Sequence, residues 1–287
     1  MAILPIKNSF VTFYDFSNDA GRSNYITDTE CGIQNDFCYP INNVNDLAFQ
    51  MKIVTTADLT SDLPTIFRVI NGTGSQISDA SVYAIQTGTY MGVTPIYTVY
   101  FAFASSSLLD NLSDGDCFSL YVSAGLEELQ EIFISNECFK YSTDTCLTSR
   151  LTYINNSNAF GFYYDSISGQ TPYNKIRLPV YFKEPQLPVD KNVYTKSNGD
   201  RVLLSARVSK KYKGYIDATT EQVHQNLVIA LNHNYILWLT EGNYQFLCRF
   251  EDEYNNEFPT IMQNVNTWPA DFTIFETPFD NFNSNCG

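Results

Sequence analysis

The chain has 287 residues, 44 % of them hydrophobic, 15 % aromatic and only 17 % charged, a composition that supplies a packed core and excludes an intrinsically disordered polypeptide. Its 31 acidic residues against 17 basic ones leave a formal charge of −14, which opposes phosphate backbones and anionic membrane surfaces; no basic stripe for direct nucleic-acid binding is expected. The length exceeds that at which one core usually stops growing and argues for two domains.

The first sixteen residues, Met1 to Phe16, lack the basic start, long apolar stretch and small-residue cleavage site of an export signal. Nowhere do about 18 apolar residues run together, so no membrane insertion is expected and the chain reads as made in the cytoplasm. Cys31, Cys38, Cys117, Cys138, Cys146, Cys248 and Cys286 form no C-x-x-C pair, and reduced thiols are the default. Spacing leaves a Cys31–Cys38 or a Cys138–Cys146 bridge open without deciding either.

Period-two alternation predicts strands through the first part. In Ala48 to Val54, Phe49, Met51 and Ile53 share one face while Gln50 and Lys52 take the other. Further strands are expected at Thr65 to Ile70, Val82 to Gln86, Ile96 to Phe103, Phe118 to Val122, Glu131 to Ser135 and Leu151 to Ile154. Turn residues such as Asn71-Gly72, Asp114-Gly115 and Ser168-Gly169 separate them. Only Ala124 to Gln130 offers a helical turn. The pattern predicts an antiparallel β-sandwich or jelly-roll-like domain over residues 1–175.

A smaller β-rich domain with one packed helix is expected over residues 176–287. Its strands fall at Ile176 to Phe182, Val189 to Tyr194 and Arg201 to Tyr212. A helix follows at about residues 220–232, where Thr219 or Thr220 is placed to cap and Val223, Leu227, Ala230 and Leu231 recur at helical spacing. Tyr235 to Leu239 and Tyr244 to Phe250 read as a hairpin around Glu241-Gly242-Asn243. Asn264 to Gly287 is aromatic and Asn-rich without clear period, a tail that orders on a neighbour.

No catalytic, cofactor or metal constellation emerges. His224 and His233 are nine positions apart, on opposite sides of a helix at about 100° per residue, so they cannot pair as ligands there. Asp110, Asp114 and Asp116 resemble a calcium loop but lack its oxygen spacing and closing Glu. These acids, Glu127-Glu128 with Glu131, and Glu251-Asp252-Glu253 read as turns and solvated faces. Trp238 and Trp268 are the candidate glycan or interface contacts, because indole faces stack on sugar rings.

The segments Asp46 to Ile53, Ile134-Ser135-Asn136 and Tyr153-Ile154-Asn155-Asn156-Ser157-Asn158-Ala159-Phe160-Gly161-Phe162 resemble, in that order, a module of virion structural proteins from tailed phages that infect Bacteroidetes, including crAss-like phages. Ile176-Arg177, the polar Lys196-Ser197-Asn198-Gly199-Asp200 and Gln222 to Asn232 are similar to a second module of that class; Ala218-Thr219-Thr220-Glu221 stands where its outline has Pro-Trp. The resemblance implies a non-enzymatic tail hub, baseplate or neck ring protein, present in symmetric copies beside other tail, neck or portal proteins of the virion. A carbohydrate-binding adsorption module for host surface glycans is the alternative, and a glycan-degrading enzyme using clustered acids a third expectation.

Overall fold

A computed structural model describes residues 2–4, 6, 8–15, 37–70, 73–76, 80–103, 107–124, 131–183, 185–208, 210–240, 244–256 and 267–276. The first strands are β1 (Ala2–Leu4), β2 (Phe13–Asp15), β3 (Cys38–Ile41), β4 (Ala48–Val54), β5 (Thr65–Ile70), β6 (Thr73–Gln76) and β7 (Ala80–Tyr90). β8 (Thr94–Phe103), β9 (Cys117–Ala124), β10 (Glu131–Ser135), β11 (Cys138–Tyr141), β12 (Ser149–Ile154), β13 (Asn174–Leu178) and β14 (Val180–Phe182) follow. Then come β15 (Val189–Thr195), β16 (Arg201–Val208), β17 (Lys210–Thr219), helix α1 (Glu221–Leu231), β18 (Tyr235–Leu239), β19 (Gln245–Asn256) and β20 (Trp268–Glu276).

The architecture is mainly β and sandwich-like, with one α-helix among the described residues. An 11-stranded sheet runs β14-β17-β20-β19-β18-β12-β13-β4-β8-β7, with β1 added beside β4. A seven-stranded sheet runs β2-β10-β9-β11-β3, with β5 on β9 and β6 on β5; its β3–β11 pair is parallel. Inward side chains of the two sheets meet: Phe13 of β2 lies 5.4 Å from Phe49 of β4, ring centre to ring centre. Fully burying a residue such as Phe133 or Phe101 stabilises by about 1.5–3 kcal/mol, and dozens of such residues form one contiguous cluster.

The boundary expected near residue 175 falls inside β13, which pairs with β12 along its length and meets β4 through Lys175 and Ala48. The buried cluster runs from Ile6 to Ile274 without a break there. α1 reinforces the join, since the Asn226 amide donates to the Ser9 carbonyl at 2.8 Å. Deepest of all the ties is Asp46, fully buried before β4, whose carboxylate accepts from Arg177 Nε at 2.6 Å and Nη2 at 3.1 Å. Asn42 N–H and Asn43 N–H also donate to it, at 3.0 and 2.9 Å.

Individual elements depart from expectation for local reasons. Gln50 is buried, because the 155–173 segment folds over that face: Tyr163 N–H donates to its Oε1 and its Nε2 donates to the Pro172 carbonyl. Thr220 sits at the N-cap of α1 but makes no side-chain cap bond, and Thr219 instead bonds the His224 ring at 3.1 Å. Part of the expected C-terminal tail is β20, in which Trp268, Ala270, Phe272 and Ile274 alternate inward between β17 and β19. The helical turn expected beyond Ala124 lies outside the described residues.

Candidate assembly surface

β15 and β16 form a two-stranded sheet of their own, joined at Lys196 to Asp200 and paired with no other strand among the described residues. The turn closes because Lys196 N–H donates to the Asp200 carbonyl, Asp200 N–H donates to Asn198 Oδ1, and Gly199 takes a φ of +90° that a side chain would strain. At about 3.3 Å per residue the ribbon is roughly 23 Å long. Val193 lies opposite Leu203 on one face, and Tyr194 opposite Val202 on the other. Val193, Tyr194, Leu203 and Leu204 are 42–59 % exposed, and Val189 and Leu187 at the foot are exposed too.

An isolated hairpin is marginally stable in water, and apolar side chains on both faces make it a surface that lacks a cover. Both outer edges also present ladder groups to which another strand can add. Charge sharpens the picture. Between Lys183 and Lys213 the chain places eight cations against three acids, a net +5, and everywhere else nine cations against 28 acids, a net −19. Eight of the seventeen cations therefore fall on this arm and its root.

At the arm's root a groove of about 500 Å³ is lined by Leu147, Tyr181, Phe182, Lys210, Tyr212, Tyr244 and Phe246 among others. Lys210 Nζ lies 2.9 Å from Glu276 and donates to Tyr244 Oη at 2.8 Å. Hydrogen bonding to Tyr212, Tyr244 and Glu276 raises the Lys210 pKa, and an ammonium held protonated is no nucleophile. A second cavity, of about 470 Å³, lies between Lys52, Thr98 and the Asn158–Tyr163 turn; a third, of about 430 Å³, is polar and holds Asp46, Arg150 and Arg177. None of the three is lined by two carboxylates, the pair on which glycoside hydrolysis depends.

The structure removes both tryptophans from solvent. Trp238 is fully buried, 6.0 Å from Phe272 in a stacked pair and edge-on to Phe182. Trp268 stacks on His224 at 5.4 Å and its carbonyl accepts from His224 Nε2 at 2.8 Å. Neither offers a free indole face to a sugar, because each ring is needed to fill the core beside β20. Sequence spacing could not separate a core Trp from a surface one, since both sit at strand positions of the same alternation.

Both histidines are structural donors and acceptors. A carbonyl only accepts, so His224 carries its proton on Nε2 and His233, bonded to the Ile229 carbonyl at 2.9 Å, on Nδ1. The remaining nitrogens accept from Tyr254 Oη at 2.6 Å and Tyr164 Oη at 2.7 Å. Burial lowers both pKa values, that of His233 to about 4, so the neutral rings persist.

The acids that suggested a calcium loop stitch turns instead. Asp114 Oδ1 accepts from Thr143 N–H and hydroxyl, and Asp116 Oδ2 from Ser113 N–H. Glu127 and Glu128 lie outside the described residues, and the side chains of Glu131 and Glu251 to Glu253 are not described.

The Asn-rich motif after β12 is an anchored loop. Asn155 Oδ1 accepts from Asn234 N–H, Asn158 Oδ1 from Tyr164 N–H, and the Phe160 carbonyl from Asn8 Nδ2. Phe160 and Gly161 make the bend at φ +54° and +90°. No family model matches the chain, and neither a curated protein nor a solved structure matches it.

Proposed function

We propose that the chain is a structural component of a tailed-phage virion, of the tail hub, baseplate or neck ring kind, that assembles with copies of itself. The observation that carries self-assembly is the projecting β15–β16 arm, apolar on both faces and cationic on an otherwise acidic chain. A second copy is its partner: the body supplies the −19 that complements the +5, and Val, Leu and Tyr faces call for a protein cover that a nucleic-acid backbone does not provide. An arm that reaches from one copy to a different patch on the next makes a heterologous contact, which closes into a ring when the rotation permits. The virion assignment is supported by the module resemblance together with the two-sheet body. A carbohydrate-binding module would need an exposed aromatic platform, and Trp238 and Trp268 do not supply one.

Light scattering of the purified full chain, with and without residues 189–208 replaced by a short Gly-Ser turn, tests assembly. A concentration-dependent oligomer that becomes a folded monomer on arm removal is the expected result. A wild-type chain that stays monomeric at high concentration, or whose arm binds a DNA duplex in place of a second copy, refutes it. Mass spectrometry and cryo-electron microscopy of virions then test the setting; absence from purified particles sinks the virion assignment alone.

A further inference from the structure

Beyond assembly, the polar cavity of about 430 Å³ beside β12 and β13 gathers more positive charge than it offsets. Arg150 of β12 and Arg177 of β13 are direct register partners, so both side chains leave the sheet on one face, which Lys175, two residues before Arg177, shares. Like charges set opposite each other across a strand pair repel. Among the described residues, Asp46 supplies the one carboxylate that acts on Arg150 and Lys175, and burial lowers both of their pKa values although Asp46 pulls the other way. Asp46 is already engaged, because Arg177 takes both of its oxygens, at 2.6 and 3.1 Å. Arg150 approaches it only to 3.8 Å. The Arg150 guanidinium makes a single hydrogen bond, from Nη1 to the Asn45 carbonyl at 3.3 Å, and its Nε is buried with no partner.

The walls show what would restore the balance. Asn42, Asn43, Asn45, Thr143, Thr145 and Thr240 line the rest of the cavity with amides and hydroxyls, and Leu239 is the one apolar side chain among the described residues there. Asp46 and Arg177 are buried at its floor, while Asn43 and Thr143 are exposed at its mouth. We propose that this cavity binds a small hydroxyl-bearing oxyanion, the class of sugar acids and sugar phosphates, with its charge against Arg150 and its hydroxyls on the Asn and Thr side chains. At roughly 30 Å³ per water molecule the cavity has room for about a dozen non-hydrogen atoms, the size of a single sugar acid and well beyond a lone phosphate. The acidic balance of the chain repels extended polyanions, which leaves small anions as the class that can enter. Recognition rests on charge and hydrogen bonds, so it does without the aromatic platform that ring stacking requires.

The test is calorimetry of the full chain at low ionic strength with glucuronate, glucose phosphate, inorganic phosphate and neutral glucose. One sugar anion per chain is expected to bind, more tightly than inorganic phosphate, while glucose does not bind; the tighter of the two sugar anions tells whether the charged group is a carboxylate or a phosphate. Arg150→Gln should weaken binding by about tenfold or more, the loss of a charge-assisted contact. Phenylglyoxal labelling of wild-type guanidiniums, mapped by mass spectrometry, provides a readout free of folding defects: the bound anion should protect Arg150 and leave exposed Arg201 to react. No binding of either sugar anion, glucose or inorganic phosphate binding as tightly as they do, Arg150→Gln binding at wild-type strength, or equal Arg150 labelling with and without the anion overturns the proposal.

Discussion

Asp46→Asn isolates a single buried charge and reads the consequence on the far side of the molecule. Asn keeps an oxygen for the Asn42 and Asn43 N–H groups, so the turn before β4 retains its acceptor. What disappears is the negative charge facing Arg177 at 2.6 Å and Arg150 at 3.8 Å, with Arg177 only 4 % exposed. Removing one partner of a buried pair costs about 3–5 kcal/mol, because the other charge stays desolvated without compensation. With a urea dependence of about 3 kcal/mol per molar for a chain of this size, the midpoint should fall by roughly 1–1.7 M.

Trp238 and Trp268 both lie C-terminal to the mutation by about 190 residues or more, so their emission reports the late part of the chain. Because β13, α1 and the buried cluster join both parts, tryptophan emission and far-ultraviolet circular dichroism should move together. A shift under about 0.3 M, or a tryptophan transition that stays put while circular dichroism splits in two, would refute the reasoning about the shared core.

Val193→Asp combined with Leu203→Asp places two charges opposite each other on the arm; each should weaken self-association by about thirtyfold or more, with the monomer's unfolding midpoint unchanged. Gly214→Ala should destabilise by about 1–3 kcal/mol in thermal unfolding, since the added carbon would sit 2.6 Å from the Phe272 ring and 2.9 Å from Phe182. For His233, pKa about 4 when folded against 6.5 when unfolded, the unfolded chain takes the proton first. Its stabilising contribution is therefore complete above about pH 6.5 and declines by roughly 3 kcal/mol as pH falls towards 4. Urea midpoints of wild type and His233→Asn compared at pH 7, 5.5 and 4.5 should converge as the pH drops; parallel lines would count against it.

Much of the secondary structure is legible in residue order because strand and helix periods are local properties. Phe49, Met51 and Ile53 alternate inward as expected, α1 falls within a residue of its expected ends, and the β18–β19 hairpin pairs around its turn. β20 was legible too, through the alternation of Trp268, Ala270, Phe272 and Ile274, though the surrounding Asn-rich sequence masked it. The acidic balance, and its reversal along Lys183 to Lys213, is likewise written in the chain.

Whether two β modules share one core is settled only in three dimensions, since Asp46 and Arg177, or Asn226 and Ser9, meet across more than a hundred residues. The same holds for the burial of both tryptophans and for the disulfide between Cys38 and Cys138. Period tells which face of a strand a side chain takes, but it does not tell what covers that face. Covering is decided by which distant strands pair and which loop folds over them, and that choice depends on the packing energy of the whole chain.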